Sequence, residues 1–383
     1  MTIETAEERL YDGQERPIME EGDFLKINDV DHIELYVGNA YQAAYFYQHA
    51  FGFKPVAYSG LESGERDRVS HVLQQGKVRL VLTGTYRPDS EIAAHQLSHG
   101  DGVKVLAFTV DDVEKAYHET TARGARGVQP PTTMRDDHGV LRTAAIATYG
   151  DTIHRFVERG DYSGAFMPGY MPVESDVEVE GIGAMYVDHC VGNVELGKMN
   201  HWVGWYHRVM GFRQLMHFDD DDISTEYSAL MSKVMQNGTG RIKMPINEPA
   251  DGKRKSQIEE YLEYYRGAGV QHIAIGVRDI IAAVAHLRER GVRFLRVPDT
   301  YYEILPERVG QIEEDMATIA ELGILVDRDD EGYLLQIFTQ PLQDRPTMFI
   351  ELIERHGSRG FGIGNFKALF ESIELEQARR GNL

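Results

Sequence analysis

Two imidazoles and one carboxylate, His189, His272 and Glu351, are the side chains of this 383-residue sequence whose types and spacing could do chemistry together. They stand out because the chain contains itself twice. VDH occurs at 30–32 and at 187–189, each followed by VGN; FYQHAFGF (46–53) matches WYHRVMGF (205–212), and GKVRLVL (76–82) matches GRIKMPI (240–246). GVKVLAFTVDDVEKAYHETTARGAR (102–126) matches GVQHIAIGVRDIIAAVAHLRERGVR (269–293), and the halves close with ERG (158–160) and ERHG (354–357). Landmarks in one order mark a duplicated unit. Where the first half reads His32, Val105 and Arg155, the second reads His189, His272 and Glu351. Such a facial set leaves three adjacent positions open on an octahedral metal, the pattern of non-haem Fe(II) oxygenases.

Taken singly, each residue has a plainer role: a strand histidine is more often a satisfied core or edge group, and a strand glutamate usually faces solvent. Their combination changes the weighing. Glu351 shares its face with Phe349 and Ile353 while Ile350 and Leu352 cover the other, so neither side is wet. An unpaired buried carboxylate costs several kcal/mol and needs a cation. Gln336 is equally out of polar company, beside Phe338. Competing motifs lack required parts. HExxH, G-x-S-x-G and GxxxxGK[ST] are absent. DRDDEG (327–332) has Phe338 where a calcium loop needs its bidentate carboxylate, and reads as a hairpin turn. GFGIGNF (360–366) lacks dinucleotide spacing. Cys190 points to the face opposite His189 and reads as a buried structural thiol.

Strands and helices must position these groups. Ile273, Ile275 and Val277 alternate with His272 on the other face, which predicts a strand at 270–277. Asp279 then caps a helix carrying Ile280, Val284 and Leu287, ended by Gly291. Strands at 333–338 and 348–354 are joined by a loop holding Pro341, Asp344 and Pro346. Strand, helix and antiparallel strands, four times over, predict an α+β architecture. The divisions are a loose arm over 1–25, a first domain over 26–160, a linker over 161–181 and a second domain over 182–383. In the tail, Asn365 is expected to cap a helix with Phe366, Leu369, Phe370 and Ile373 on one stripe, which either packs on the core as a terminal helix or, hinged on the preceding glycines, swings as a lid. Acidic residues outnumber basic ones 61 to 40, a charge of −21 that repels nucleic acid and anionic membranes. A single cysteine excludes an intramolecular disulfide, and the charged amino terminus and lack of a long apolar run predict a soluble, cytoplasmic protein.

With these residues in view, the chain resembles the vicinal-oxygen-chelate superfamily, and its second half resembles the 4-hydroxyphenylpyruvate dioxygenase family. The resemblance is carried by VDHCVGNVELGKMNHWVGWYHRVMGF, PINEPADGKRKSQIEEYLEYYRGAGVQHIAI, LGILVDRDDEGYLLQIFTQPLQDRPTMFIELIERHG and GFGIGNFKALF; it covers 28–383 and weakens before 160. It implies tandem glyoxalase-like βαβββ modules forming two open barrels, the first metal-free, with the C-terminal helix as lid. It implies one Fe(II) per chain on His189, His272 and Glu351. The substrates implied are 4-hydroxyphenylpyruvate and dioxygen, the products homogentisate and carbon dioxide, within tyrosine catabolism. The substrate's own 2-oxo acid would take two open metal positions and dioxygen the third. Polar residues implied in catalysis are Gln271, Gln336, Asn247, Ser232 and Gln257; the substrate pocket would be lined by Pro245, Phe338, Phe349, Phe361, Asn365 and Phe366. A homo-dimer or homo-tetramer is also implied. The alternatives are a 4-hydroxymandelate synthase, whose relatives tend to carry a smaller apolar residue at the place of Phe338, and a non-catalytic binding protein of the same fold, which need not bury Glu351.

Overall fold

The computed structural model describes residues 23–175, 178–218, 229–250 and 255–381. Four strand, helix, three-strand modules follow one another. The first holds β1 (Ile27–Tyr36), α1 (Ala40–Phe51), β2 (Lys54–Ser59), β3 (Arg68–Gln75) and β4 (Val78–Thr85). Through α2 (Glu91–His99) it leads to β5 (Gly102–Val110), α3 (Val113–Ala122), β6 (Gly127–Asp136), β7 (Gly139–Ala147) and β8 (Ile153–Glu158). After the short β9 (Met171–Pro172) come β10 (Ala184–Asn193), α4 (Met199–Met210), β11 (Arg213–Phe218), β12 (Ala229–Gln236), β13 (Lys243–Ala250) and α5 (Gln257–Tyr265). The last module is β14 (Gly269–Val277), α6 (Ile280–Glu289), α7 (Asp299–Val309), α8 (Met316–Leu322), β15 (Leu325–Arg328), β16 (Tyr333–Phe338) and β17 (Phe349–His356), followed by α9 (Ile363–Arg380).

The duplication seen in the residues is repeated in the hydrogen bonding. The second sheet runs β11-β12-β13-β10-β14-β17-β16-β15, and the first runs β2-β3-β4-β1-β5-β8-β7-β6, with β9 added beside β2. In each, the two module-opening strands pair antiparallel at the centre, and each pairs in parallel with the last strand of its own module. Local chemistry repeats too. Asp112 and Asp279 stand at the ends of β5 and β14, and each side chain accepts from the amide three residues on, Lys115 or Ala282, satisfying an orphan donor of the helix that follows.

The halves share one core, in which Leu35 and Phe108 of the first pack with Val187, Ile273 and Ile275 of the second. Their approach is close at Gly76, whose φ of +56° turns the β3–β4 hairpin against β10. A Cβ there would lie 2.4 Å from the Ala184 carbonyl oxygen. The 161–181 linker is more than a tether. Phe166 is buried with its ring edge-on to His32 at 5.1 Å, and β9 extends the first sheet. Most of the expected N-terminal arm, 1–22, lies outside the described residues, while Leu25 already packs in the core.

Candidate metal centre

His189 lies on β10, His272 on β14 and Glu351 on β17, three neighbouring strands. His189 sits opposite Ala274, and Ala274 opposite Glu351, so one row crosses the sheet through all three; His272 is two residues along β14 and faces the same way. Strands two apart in a flat sheet would hold their Cα atoms about 9–10 Å from each other. Here the sheet curls, and the Nε2 atoms of His189 and His272 stand 3.1 and 3.2 Å from Glu351 Oε2. All three side chains are buried.

The far nitrogen of each imidazole is committed. His189 Nδ1 lies 2.8 Å from Asp188 Oδ1, and His272 Nδ1 lies 3.0 Å from Gln271 Oε1. Both partners accept, so in the neutral ring Nδ1 carries the hydrogen and Nε2 turns a lone pair toward the carboxylate. In a dry cup these converging atoms repel one another unless a proton or a metal ion lies among them. The electrostatics agree. Burial would raise the Glu351 carboxyl, yet His189 and His272 hold it at about 2. Burial would lower His189, yet Glu351 and Asp188 push it above its ordinary value, whereas burial pulls His272 down against the attraction of Glu351. The cup draws positive charge, and two neutral imidazoles with a carboxylate suit a first-row divalent ion.

Aromatic rings wall this cup. Phe349 stacks on His272 at 4.8 Å, Phe338 stands edge-on to the same ring at 6.0 Å, and Phe361 packs on His189 at 5.0 Å. Gln271 is held between His272 and Gln257, whose Oε1 is 3.5 Å from Gln271 Nε2. Gln336 is buried beneath Gly362 at the start of α9. Ser232 and Asn247 face each other across β12 and β13, with Pro245 buried two residues earlier. Asn247 pairs with Asn193, four residues beyond His189, which sets this polar group about 13 Å along the sheet from the His189 row.

The tail departs from expectation in one respect. Asn365 does not cap α9, because the cap position is Gly362 in the left-handed conformation and Asn365 falls inside the first turn. Its Oδ1 accepts from Tyr301 at 2.6 Å and from Arg308 at 2.9 Å, so it ties α9 to α7. The side chains of Phe366, Leu369 and Phe370 lie outside the described residues; Ile373 is buried. Cys190 is a free, buried thiol whose pKa burial pushes up to about 12.

Three polar residues of the site had no role assigned in the sequence reading: Asp188, Arg355 and Asn193. Arg355 grips both oxygens of Asp188, at 2.8 and 2.9 Å. Burial alone would raise the Asp188 carboxyl, but Arg355 and His189 hold it well below the ordinary carboxylate range. The signal was present, since VDH and ERHG are landmarks of the duplication and contain this pair. The first half repeats it as Asp31 and Arg159, at 2.6 and 2.8 Å.

The comparisons agree with this geometry. Residues 29–152 and 186–337 match the Glyoxalase/Bleomycin resistance protein/Dioxygenase superfamily, the class that two curled βαβββ sheets and a facial donor set define. Proteins named 4-hydroxyphenylpyruvate dioxygenase are similar over nearly the whole chain: that of Yarrowia lipolytica is 48% identical, covering 92% of this chain and 93% of its own. That of Aspergillus fumigatus is 49% identical over the same shares, and that of Danio rerio 47%, covering 97% and 95%. The chain belongs to the 4-hydroxyphenylpyruvate dioxygenase family, enzymes of that superfamily. Among solved structures, a mutant of 4-hydroxymandelate synthase from Streptomyces coelicolor superposes with a TM-score of 0.82 at 33% identity, covering 92% of this chain and 99% of that one. A xylose isomerase-like TIM barrel/4-hydroxyphenylpyruvate dioxygenase fusion protein shares the fold, with a TM-score of 0.71 at 20% identity, over 91% of this chain and 53% of its own. No helix of the described residues is long and apolar enough to cross a membrane.

Proposed function

We propose that this chain converts 4-hydroxyphenylpyruvate and dioxygen to homogentisate and carbon dioxide, with one Fe(II) held by His189, His272 and Glu351. The observation that carries the reading is the convergence of two Nε2 lone pairs and one carboxylate oxygen, 3.1–3.2 Å apart, at the floor of a buried aromatic cup. Fe(II) held there by His189, His272 and Glu351 would supply the redox chemistry and Lewis acidity that a 2-oxo acid and dioxygen require. The rest falls to this chain's residues. Asp188 and Gln271 hold the two imidazoles with Nε2 facing inward. Phe338, Phe349 and Phe361, with Pro245, exclude water and fix the plane of the substrate ring. Ser232, Asn247 and Gln257 take the phenol end, while Gln336 lies beside the ligand strands and supports the lid. Asn365 acts from behind, by anchoring α9 to Tyr301 and Arg308.

The atoms balance: the 2-oxo acid's carboxyl leaves as carbon dioxide, one oxygen atom enters the new carboxylate and the other the ring, and the acetate side chain moves to the neighbouring carbon. The physiological setting we assign is cytoplasmic tyrosine breakdown by a homo-dimer or homo-tetramer. The test is dioxygen uptake by Fe(II)-loaded protein given 4-hydroxyphenylpyruvate, with the product identified by chromatography and mass, beside a Glu351→Gln variant. Homogentisate with an inactive variant supports reaction and site. Recovery of 4-hydroxymandelate would keep the site and overturn the product, and failure to take up iron would return the chain to the binding-protein reading.

A further inference from the structure

The two halves carry the same brace around different centres. In the first, Asp31 Oδ1 meets His32 Nδ1 at 2.6 Å, and Arg159 clamps Asp31 while its Nη1 donates to the Phe166 carbonyl at 2.7 Å. In the second, Asp188 meets His189 and Arg355 clamps Asp188, but Arg355 Nη1 donates instead to the carbonyls of Ser358 and Gly360, at 3.2 and 2.7 Å. Those carbonyls lead into Phe361, whose ring lies 5.0 Å from His189. One guanidinium therefore touches both the carboxylate that orients a histidine of the cup and the backbone that starts the lid. Arginine's planar fork fixes two directions at once, which a lysine ammonium cannot do.

We propose that Arg355 is a positioning residue that couples the orientation of His189 to the closed position of the 358–364 segment, so that filling the cup tightens the lid and a loosened lid weakens the cup. This rests on the reading of His189, His272 and Glu351 as metal ligands. The coupling is reciprocal by thermodynamic necessity. Arg159 supplies an internal control, because it has the same bonds to an Asp-His pair but, among the described residues, no lid and no metal set beside it.

The experiment uses the full chain and Co(II) alone as the probe, read by its visible absorption, with amide exchange followed over 358–364. In the wild type, Co(II) should slow that exchange. Arg355→Met should weaken Co(II) binding by roughly ten- to a hundredfold, the usual cost of losing a group that orients a ligand, and should abolish the metal-dependent protection; Arg355→Lys should recover part of both. Arg159→Met should lower the thermal midpoint while leaving Co(II) affinity and 358–364 exchange within about twofold, inside the spread expected for distant sites. If Arg355→Met lowers only the midpoint, as Arg159→Met does, the brace is structural and the proposal fails. It fails equally if affinity drops while the protection persists. Should Arg355→Met not fold, Asp188→Asn keeps the shape, and unchanged affinity and protection there overturn the proposal. If the wild type takes up no Co(II), or Glu351→Gln takes it up equally, the metal-site reading itself falls, and this proposal with it.

Discussion

Arg155 in β8 occupies the register position that Glu351 occupies in β17: each lies opposite an alanine of the neighbouring central strand, Ala107 or Ala274. The exchange inverts the charge of the cup. Arg155 Nη1 stands 3.1 Å from Glu34 Oε2 and 3.4 Å from His32 Nε2, so the first half carries its cation as a covalent side chain. We therefore expect one metal ion per chain, at the His189, His272 and Glu351 set. Glu351→Gln should remove it, and elemental analysis of the variant after reconstitution should find no residual ion in the first half.

Phe338 closes the cup from β16, edge-on to both His272 and Phe349. If the proposed function holds, Phe338→Val opens space on the wall against which the substrate ring would pack. We expect the homogentisate share to fall and 4-hydroxymandelate to appear, because the ring can then withdraw and present its benzylic carbon. Product analysis by mass checks this, and an unchanged product would show that other walls set the ring.

Gly362 has φ +74°, and a Cβ there would meet the Gln336 amide at 2.7 Å. Gly381, at the other end of α9, has φ +73° but open space around it. Alanine at either position carries the left-handed strain of about 1–2 kcal/mol. Only Gly362→Ala should also displace Gln336. Its KM for 4-hydroxyphenylpyruvate should rise several-fold, whereas Gly381→Ala should leave KM unchanged at a similar loss of stability.

His154 joins the halves through a 2.8 Å bond from its Nε2 to the Tyr206 hydroxyl. Full burial lowers its pKa to about 3. The folded value lies below the unfolded one, so this contribution to stability is fully present above about pH 6.5 and is lost as pH falls toward 3. Between pH 7 and 5 the wild type should lose about 2 kcal/mol through this group. Denaturant titrations of His154→Gln at the two pH values should show that share of the loss missing.

Much of this was legible in the residues. The duplication is a matter of order and spacing, and the ligand set is a matter of which types differ between the halves. Period-two alternation and an Asp at the strand end were enough for β14 and α6, because those patterns depend on neighbours within a few residues. What the residues alone could not give was contact at long range. Arg355 meets Asp188 across 167 residues and Tyr301 meets Asn365 across 64. The local pattern around Asn365 suggested a helix cap, and tertiary bonds to α7 decided otherwise. The curl of the sheet that closes the ligand atoms to 3.1–3.2 Å likewise belongs to the packed structure. Strand periodicity says which face a side chain takes, while only the folded sheet decides which faces meet.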